Sequence, residues 1–262
     1  MKGPIFHPVY QRKLYEKTHF HHMPPIIHCV RYGQGVHNLS YANHDLPDPE
    51  LTPLGEEQAQ ALTTRFPELA NIELIVSSPL QRTIQTALLA FPLKLQAGLQ
   101  VLAWPEVQEA SDLICDTGSH LPDIKARFCG LPIDFSLVEP DWHLKGKSAP
   151  TAARLLERAQ LARQWLSERP EAEIVVISHG CFLHFLTDDW VNAINPQATA
   201  WANAEVRSFT LSFDMSRSCS LDETEGSRMR RGYSQLALTK EQQLELRDEV
   251  LKTWIEWGVI RG

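Results

Sequence analysis

A chain of 262 residues, of which 43% are apolar and 22% charged, has the composition of a globular protein with a sizeable core. The net charge of −7 argues against a broad interface with nucleic acid or an anionic membrane, although a few local arginines can still bind a small anion. No run of about 18 apolar residues is present, so the sequence predicts no membrane span.

Residues 1–24 are rich in histidine and proline and lack the apolar centre of a secretory signal. We expect an irregular arm there, followed by one domain over residues 25–262. The histidines of "THFHHM" (residues 18–23) have no carboxylate partners in the sequence, so we expect no metal site. The five cysteines are scattered without a C-x-x-C pair, which is typical of reduced thiols and of a cytoplasmic protein.

The first half of the chain alternates strands and helices. The β-branched run of "PPIIHCVRYG" predicts the first strand, and "LTPLGEEQAQALTTRF" predicts a helix with Thr52 as N-cap and Pro53 at its first position. "ELIVSSP" and "GLQVLAWPEVQEA" predict the second and third strands, separated by a helix that begins near Ser78. Strands alternating with helices are typical of a parallel sheet.

Residues 110–150 are rich in proline, glycine and aspartate and predict a long irregular excursion. Loops carried by a rigid scaffold often select the ligand, so we expect a lid. The candidate lining residues are Trp104, Trp142 and His143.

The second half continues the alternation. The apolar stripe of "TAARLLERAQLARQWLSERP" predicts a helix that ends before Pro170, and "EIVVISHG" predicts a buried parallel strand. Residues 214–238 are polar and predict a loop, and "TKEQQLELRDEVLKTWIEWGVI" predicts a closing amphipathic helix. The large apolar residues of that helix would pack in the core or against a second subunit of a homodimer; they are Leu244, Leu251, Trp254 and Trp257.

This order of elements predicts a single α/β domain, built as a three-layer sandwich with a mostly parallel sheet and helices on both faces. In such sheets the ligand site lies beyond the carboxyl ends of the strands. "VRYG" and "SHG" follow two of these ends, and Arg82 lies one turn into a helix after a third. Two guanidiniums, the imidazole of His179 and a helix N-terminus would bind a phosphate or carboxylate, so we expect a small anionic substrate.

Four motifs, in order over residues 25–215, resemble those of the histidine phosphatase superfamily, which includes the phosphoglycerate mutases. That family carries Arg-His-Gly and an asparagine six residues after the histidine; Arg31, Tyr32, Gly33 and Asn38 stand at those places. The resemblance implies that Arg31 and Asn38 bind the anion.

The remaining motifs extend the resemblance. "SSPLQRTIQTA" places Arg82 as the second anion-binding arginine, and "VQEASDLICDTGS" places the family's proton donor at Glu109. "VISHGCFLHFL" places His179 as the second histidine of the pocket. The family works without a metal or another cofactor, and the resemblance implies the same here.

Tyr32 departs from the family at the residue that becomes phosphorylated. A phenol has a pKa of about 10, so little of it is nucleophilic at neutral pH unless nearby cations lower that value. Between two guanidiniums it would become an acid or base, assisted by Glu109 and His179. A packed tyrosine without a catalytic role is the structural alternative.

Three function classes follow. The favoured one is an acid–base lyase, dehydratase or isomerase that acts on a small anionic organic molecule, such as a biosynthetic intermediate, with Tyr32, Glu109 and His179 as catalytic residues. The second is a phosphomonoester hydrolase with reduced activity or with a relocated nucleophile, for which His28 and His37 are candidates. The third is a pseudophosphatase that binds an anion without turnover.

Overall fold

The structure is a computed structural model that describes residues 24–145, 150–213, 218–233 and 237–262. The arm expected at 1–24 lies outside the described residues except for Pro24, and so does the whole of "THFHHM". In the described ranges, no helix is long and apolar enough to cross a bilayer.

The centre of the described fold is a seven-stranded mixed sheet with the order β4-β3-β2-β5-β1-β6-β7. Strands β1 to β5 run parallel to one another, and β6 and β7 add an antiparallel edge. The strands are β1 (Ile26–Arg31), β2 (Leu74–Ser77), β3 (Val101–Ala103), β4 (Ile133–Asp134), β5 (Glu173–Ser178), β6 (Val206–Phe213) and β7 (Cys219–Glu223). The sheet is therefore mostly parallel, as predicted.

Helices connect the strands and cover the sheet. Thr52, Thr151 and Thr239 cap the helices α1, α6 and α9, each accepting a backbone N–H through its hydroxyl. The helices are α1 (Pro53–Gln60), α2 (Leu62–Arg65), α3 (Gln81–Ala90), α4 (Pro92–Gln96), α5 (Leu121–Arg127), α6 (Ala152–Ser167), α7 (Gly180–Thr187), α8 (Glu225–Arg230) and α9 (Lys240–Glu256).

Strand β5 shows why the fold has three layers. Successive side chains of a strand point to opposite faces, and both faces of β5 are apolar. Ile174 and Val176 pack in one core with α6, α7 and α9, whereas Val175 and Ile177 pack in a second core with residues of α2 and α3. The sheet is thus buried between two layers of helices, which confirms the predicted sandwich.

Several predicted elements differ from the observed ones. The predicted loop at 214–238 is wrong, because it contains β7 and α8. The excursion at 110–150 is less irregular than expected, since it includes α5 and β4. The helix predicted after Thr52 is divided at Ala61 into α1 and α2. In the closing helix, Leu251 and Trp254 are core residues, whereas Leu244 and Trp257 are exposed.

Candidate active site

The carboxyl ends of three adjacent strands meet at one place on the sheet edge. Arg31 of β1 pairs with Ser178 of β5, and Ser77 of β2 pairs with Ile177. The backbone N–H of Tyr32 donates to the carbonyl oxygen of Ser178 at 3.2 Å. The loops after β1, β2 and β5 therefore start side by side, although they are far apart in the sequence.

Tyr32 occupies the centre of this place and is 2% exposed. The guanidinium carbon of Arg82 lies 4.8 Å from the centroid of its ring, and that of Arg31 lies 5.4 Å away. The imidazole of His179 lies 5.2 Å from it, centroid to centroid. The structure thus brings Arg31, Arg82 and His179 together around the ring of Tyr32, with the two arginines at cation–π distance.

Gly33 explains how the loop after Tyr32 can lie so close to α1. A Cβ atom at Gly33 would approach the carbonyl oxygen of Gly55 to 2.3 Å, so no other residue fits without displacing the backbone. The amide N–H of Gly33 donates to the hydroxyl of Thr86 on α3 at 3.1 Å. These contacts fix the backbone on which Tyr32 is presented.

The Tyr32 hydroxyl has one hydrogen-bond partner, the imidazole of His37, and Oη donates to Nε2 at 2.8 Å. Asn38 donates to the same nitrogen at 3.2 Å and accepts the N–H of Gly35 at 2.9 Å. Burial, followed by the charges of Arg82 and Arg31, lowers the pKa of His37 to about 2. His37 is therefore a neutral imidazole that accepts the phenol proton.

His179 is also neutral. Nη2 of Arg82 donates to Nδ1 of His179 at 3.1 Å, so the ring carries its proton on Nε2. Burial lowers the pKa of His179 well below its ordinary value, and the nearby charges of Arg82 and Lys145 act in the same direction. Two neutral imidazoles and two guanidiniums thus surround Tyr32.

Several buried nitrogens of these residues have no hydrogen-bond partner among the described residues. They are Nε of Arg31, Nε of Arg82, Nδ1 of His37 and Nε2 of His179. Each carries a proton in the tautomers deduced above, and a buried donor without an acceptor costs free energy. A set of unpaired N–H donors around one ring is the arrangement expected for binding an oxyanion.

Glu109 is buried at the start of α7. Its Oε1 accepts the N–H of Phe182 at 2.9 Å and its Oε2 accepts the N–H of Cys181 at 3.4 Å. The helix N-terminus that we expected to bind the ligand therefore binds this carboxylate instead. Burial, followed by the charge of Asp116, raises the pKa of Glu109, which favours the protonated acid.

Two buried cations hold the loop that carries Glu109. Nζ of Lys145 donates to the carbonyl oxygens of Glu109, at 3.3 Å, and of Ser111. Nη2 of Arg158 donates to the carbonyl oxygen of Gln108 at 2.8 Å. Burial lowers the pKa of Lys145 to about 8 and that of Arg158 to about 10. Lys145, from the end of the expected lid, thus fixes the position of Glu109.

Of the three residues expected to line the lid, two are buried within the excursion and one lies outside it in the core. Trp104 packs in the core with its ring 4.3 Å from that of Trp165, so its expected place in the lid is wrong. Trp142 is buried against Gly118, where a Cβ atom would meet its ring at 2.0 Å, and His143 is buried 4.3 Å from the ring of His120. Both stiffen the excursion from within.

His28 and Cys181 do not take part in the chemistry at Tyr32. Nδ1 of His28 lies 2.9 Å from the hydroxyl of Ser208, and Nε2 lies 3.2 Å from a carboxylate oxygen of Glu173, so His28 is not a relocated nucleophile at Tyr32. Sγ of Cys181 donates to the carbonyl oxygen of Ala198 at 3.2 Å. Burial raises the pKa of Cys181 well above its ordinary value, so it stays a thiol.

Three residues of the site were not recognised in their roles from the sequence: His37 as partner of Tyr32, Asp116 as partner of Arg82, and Lys145. His37 was considered only as a nucleophile, although its position directly before Asn38 was a usable signal. Asp116 and Lys145 contact residues 34 and 36 positions away, and no local motif marks such pairs.

The chain is similar in sequence and in fold to several known proteins. The family model of the histidine phosphatase superfamily (branch 1) matches residues 27–218. A phosphoglycerate mutase-like protein of Arabidopsis thaliana is 32% identical over 203 residues, which are 63% of this chain and 74% of that protein. A protein of Schizosaccharomyces pombe named as a probable phosphatase is 27% identical over 158 residues, 59% of this chain and 73% of that protein.

The crystal structure of an ecdysone phosphate phosphatase from Bombix mori, in complex with tungstate, has a similar fold. The TM-score is 0.52 at 16% identity, and the match covers 77% of this chain and 92% of that one. At this identity the likeness concerns the fold alone.

Proposed function

The chain belongs to the histidine phosphatase superfamily, and from this premise we propose that it binds a phosphomonoester at Tyr32 and hydrolyses it slowly. The carrying observation is the hydrogen bond of 2.8 Å between Tyr32 and the neutral imidazole of His37, in the middle of two guanidiniums. A nucleophile within hydrogen-bond reach of a base is the arrangement that nucleophilic catalysis requires.

The unpaired donors of the site support the binding step. Nε of Arg31, Nε of Arg82 and Nε2 of His179 are buried N–H groups without partners among the residues described. A phosphate has several acceptor oxygens and a charge of up to −2, so it satisfies these donors and balances both guanidiniums. In this proposal Asn38 orients His37 rather than contacting the phosphate.

The chemistry then follows in two balanced steps. Tyr32 Oη attacks phosphorus, its proton passes to His37 Nε2, and the ester P–O bond breaks as Glu109 donates a proton to the leaving oxygen. Water then attacks the phosphotyrosine, giving one proton to Glu109, while His37 returns its proton to Tyr32 Oη and inorganic phosphate leaves. The bound dianion offsets the charges of Arg31 and Arg82, which makes His37 a stronger base during the reaction. An aryl phosphate is hydrolysed slowly, so low turnover is expected.

Substitution of Tyr32 tests the proposal directly. We expect Tyr32→Phe to lower the release of phosphate from an aryl phosphate by about 10³-fold or more, because the nucleophilic oxygen is lost. We expect Tyr32→His to raise it above wild type, because it restores the family's histidine at this position. Phosphate release is measured at saturating substrate, and acid-quenched protein is searched by mass spectrometry for phosphotyrosine at residue 32.

Tyr41→Phe is the matched control, since Tyr41 lies in the same loop region but is 85% exposed. It should release phosphate at the wild-type rate. Phosphatase activity that survives Tyr32→Phe would exclude Tyr32 as the nucleophile.

A second candidate is the lyase or isomerase chemistry expected from the sequence, and the same Tyr32–His37 pair supports it. A neutral imidazole that shares a proton with a phenol can also remove a proton from carbon next to a carboxylate. In that case the protein would exchange a substrate C–H for deuterium in heavy water and release no phosphate. Phosphate affinity with neither reaction would identify a pseudophosphatase.

A further inference from the structure

The terminal nitrogens of Arg82 are already occupied by groups of the chain itself. Nη1 donates to the carbonyl oxygen of Cys115 at 2.8 Å, and Nη2 donates to Oδ1 of Asp116 at 2.8 Å. Arg82 is fully buried and the side chain of Asp116 is 12% exposed. A carboxylate of the chain itself therefore already pairs with a terminal nitrogen of the Arg82 guanidinium.

The loop around Asp116 holds this carboxylate in place. Oδ2 of Asp116 accepts the hydroxyl of Ser111 at 2.5 Å, and the backbone N–H of Asp116 donates to the carbonyl oxygen of Leu113 at 2.9 Å. The carbonyl oxygen of Ser111 in turn accepts Nζ of Lys145. A continuous chain of hydrogen bonds thus runs from the anion site to the end of the 110–145 excursion.

We propose that Asp116 is a specificity-determining residue, because its carboxylate is an internal anion that a substrate must displace from Arg82. A dianionic phosphate binds strongly enough to displace it, whereas a monoanionic carboxylate does not. The inference rests on the proposed function and extends it to the choice of substrate. Exchange of one carboxylate for another at Arg82 gains almost no charge–charge energy. A phosphate dianion carries twice the charge and interacts with Arg31 as well, so its exchange is favourable.

Isothermal calorimetry with methylphosphonate and acetate tests this inference, because the two ligands share a methyl group and differ in charge and cannot be hydrolysed. The experiment is performed above neutral pH, where methylphosphonate is a dianion. We expect Asp116→Asn to bind methylphosphonate about tenfold more tightly than wild type, since the neutral amide competes poorly for Arg82. Acetate should bind measurably to this variant and not to wild type at the same concentration.

Asp112→Asn is the matched control. Asp112 lies in the same loop and carries the same charge, but it pairs with Arg261 and not with Arg82. It should leave both affinities at their wild-type values. An equal gain in Asp112→Asn would mean that net charge, and not the contact with Arg82, controls binding.

A second variant guards against a folding defect of Asp116→Asn. Ser111→Ala retains the carboxylate but removes one of its hydrogen bonds, so it should show a smaller gain in the same direction. If neither variant tightens methylphosphonate binding, the inference is wrong. If binding responds to Asp116 but wild type releases no phosphate from any ester, the proposed hydrolase function fails while this inference stands.

Discussion

Two arginines, Arg82 of α3 and Arg207 of β6, are both fully buried, yet their surroundings differ. The guanidinium of Arg207 has a partner for every nitrogen: Nε donates to Glu205 at 2.7 Å, Nη1 to Asp189 at 2.9 Å and Nη2 to the carbonyl oxygen of Ala200 at 2.9 Å. Its guanidinium carbon also lies 3.7 Å from the ring centroid of Trp201. Its charge and hydrogen bonds are fully satisfied within the protein.

Arg82 has fewer compensating groups. It pairs with one carboxylate, that of Asp116, and its other ionisable neighbours include Tyr32 and the neutral His179. Its Nε has no partner among the described residues. A buried arginine with a complete set of partners stabilises the fold, whereas one with an incomplete set is suited to a ligand. The partners of Arg207 thus fit a structural role, and the unpaired Nε of Arg82 fits the binding role that we propose for it.

The largest expected effect is that of Arg82→Met on catalysis. We expect kcat/KM for an aryl phosphate to fall by about 10³-fold, which corresponds to about 4 kcal/mol of transition-state stabilisation, because the phosphoryl oxygens lose a buried guanidinium. Steady-state kinetics on the folded protein measure the effect. The double variant with Asp116→Asn removes the unpaired carboxylate and should be equally inactive. If the Arg82→Met variant keeps the wild-type kcat/KM, Arg82 does not contribute to the site.

The second effect concerns the other arginine, Arg207, whose substitution should lower stability and leave catalysis nearly unchanged. Arg207→Met should lower the free energy of unfolding by about 3 kcal/mol, because Arg231 is then the remaining cation that the described residues place beside the carboxylates of Asp189 and Glu205. Urea denaturation measures this loss. The kcat/KM of the remaining folded protein should stay within about twofold of wild type. A loss of activity as large as that of Arg82→Met would invalidate the distinction between the two arginines.

The same contrast shows what the sequence could predict. Arg31, Arg82 and His179 each follow the end of a buried strand, so the topology of a parallel sheet was sufficient to bring them together around Tyr32. Asp116 is joined to Arg82 across 34 positions and lies in an irregular loop, where neither periodicity nor spacing defines a side chain's direction. The two arginines beside Tyr32 are therefore predictable from the sequence, whereas Asp116 and Lys145 are not.

The sequence does not predict strand β7, at the antiparallel edge of the sheet, for a different reason. Strand β7 has only five residues and alternates buried and partly exposed positions, with Cys219 and Leu221 buried and Ser220 and Asp222 more exposed. A short edge strand of this kind has the polar composition of a loop. The long apolar run of β5, in contrast, is buried on both faces and was predicted correctly.

The imidazole of His37, near Arg82, makes the stability of the fold depend on pH. Burial, followed by the positive charges of Arg82 and Arg31, lowers the pKa of His37 to about 2, so its imidazole is neutral in the folded state. The unfolded chain binds this proton near the ordinary value of 6.5. Between these two values the unfolded state holds more protons than the folded state, so stability falls as the pH is lowered below about 6.5.

The smallest of the three effects is therefore a change in the pH dependence of unfolding. From pH 6.5 to pH 5, His37 should destabilise the wild-type fold by about 2 kcal/mol, because each pH unit in this window contributes about 1.4 kcal/mol per proton. His37→Gln should remove this contribution, so its free energy of unfolding falls less steeply with acid. Urea titrations at several pH values measure both slopes. Equal slopes for wild type and His37→Gln would show that His37 takes up a proton in the folded state over this pH range, which would contradict its low pKa.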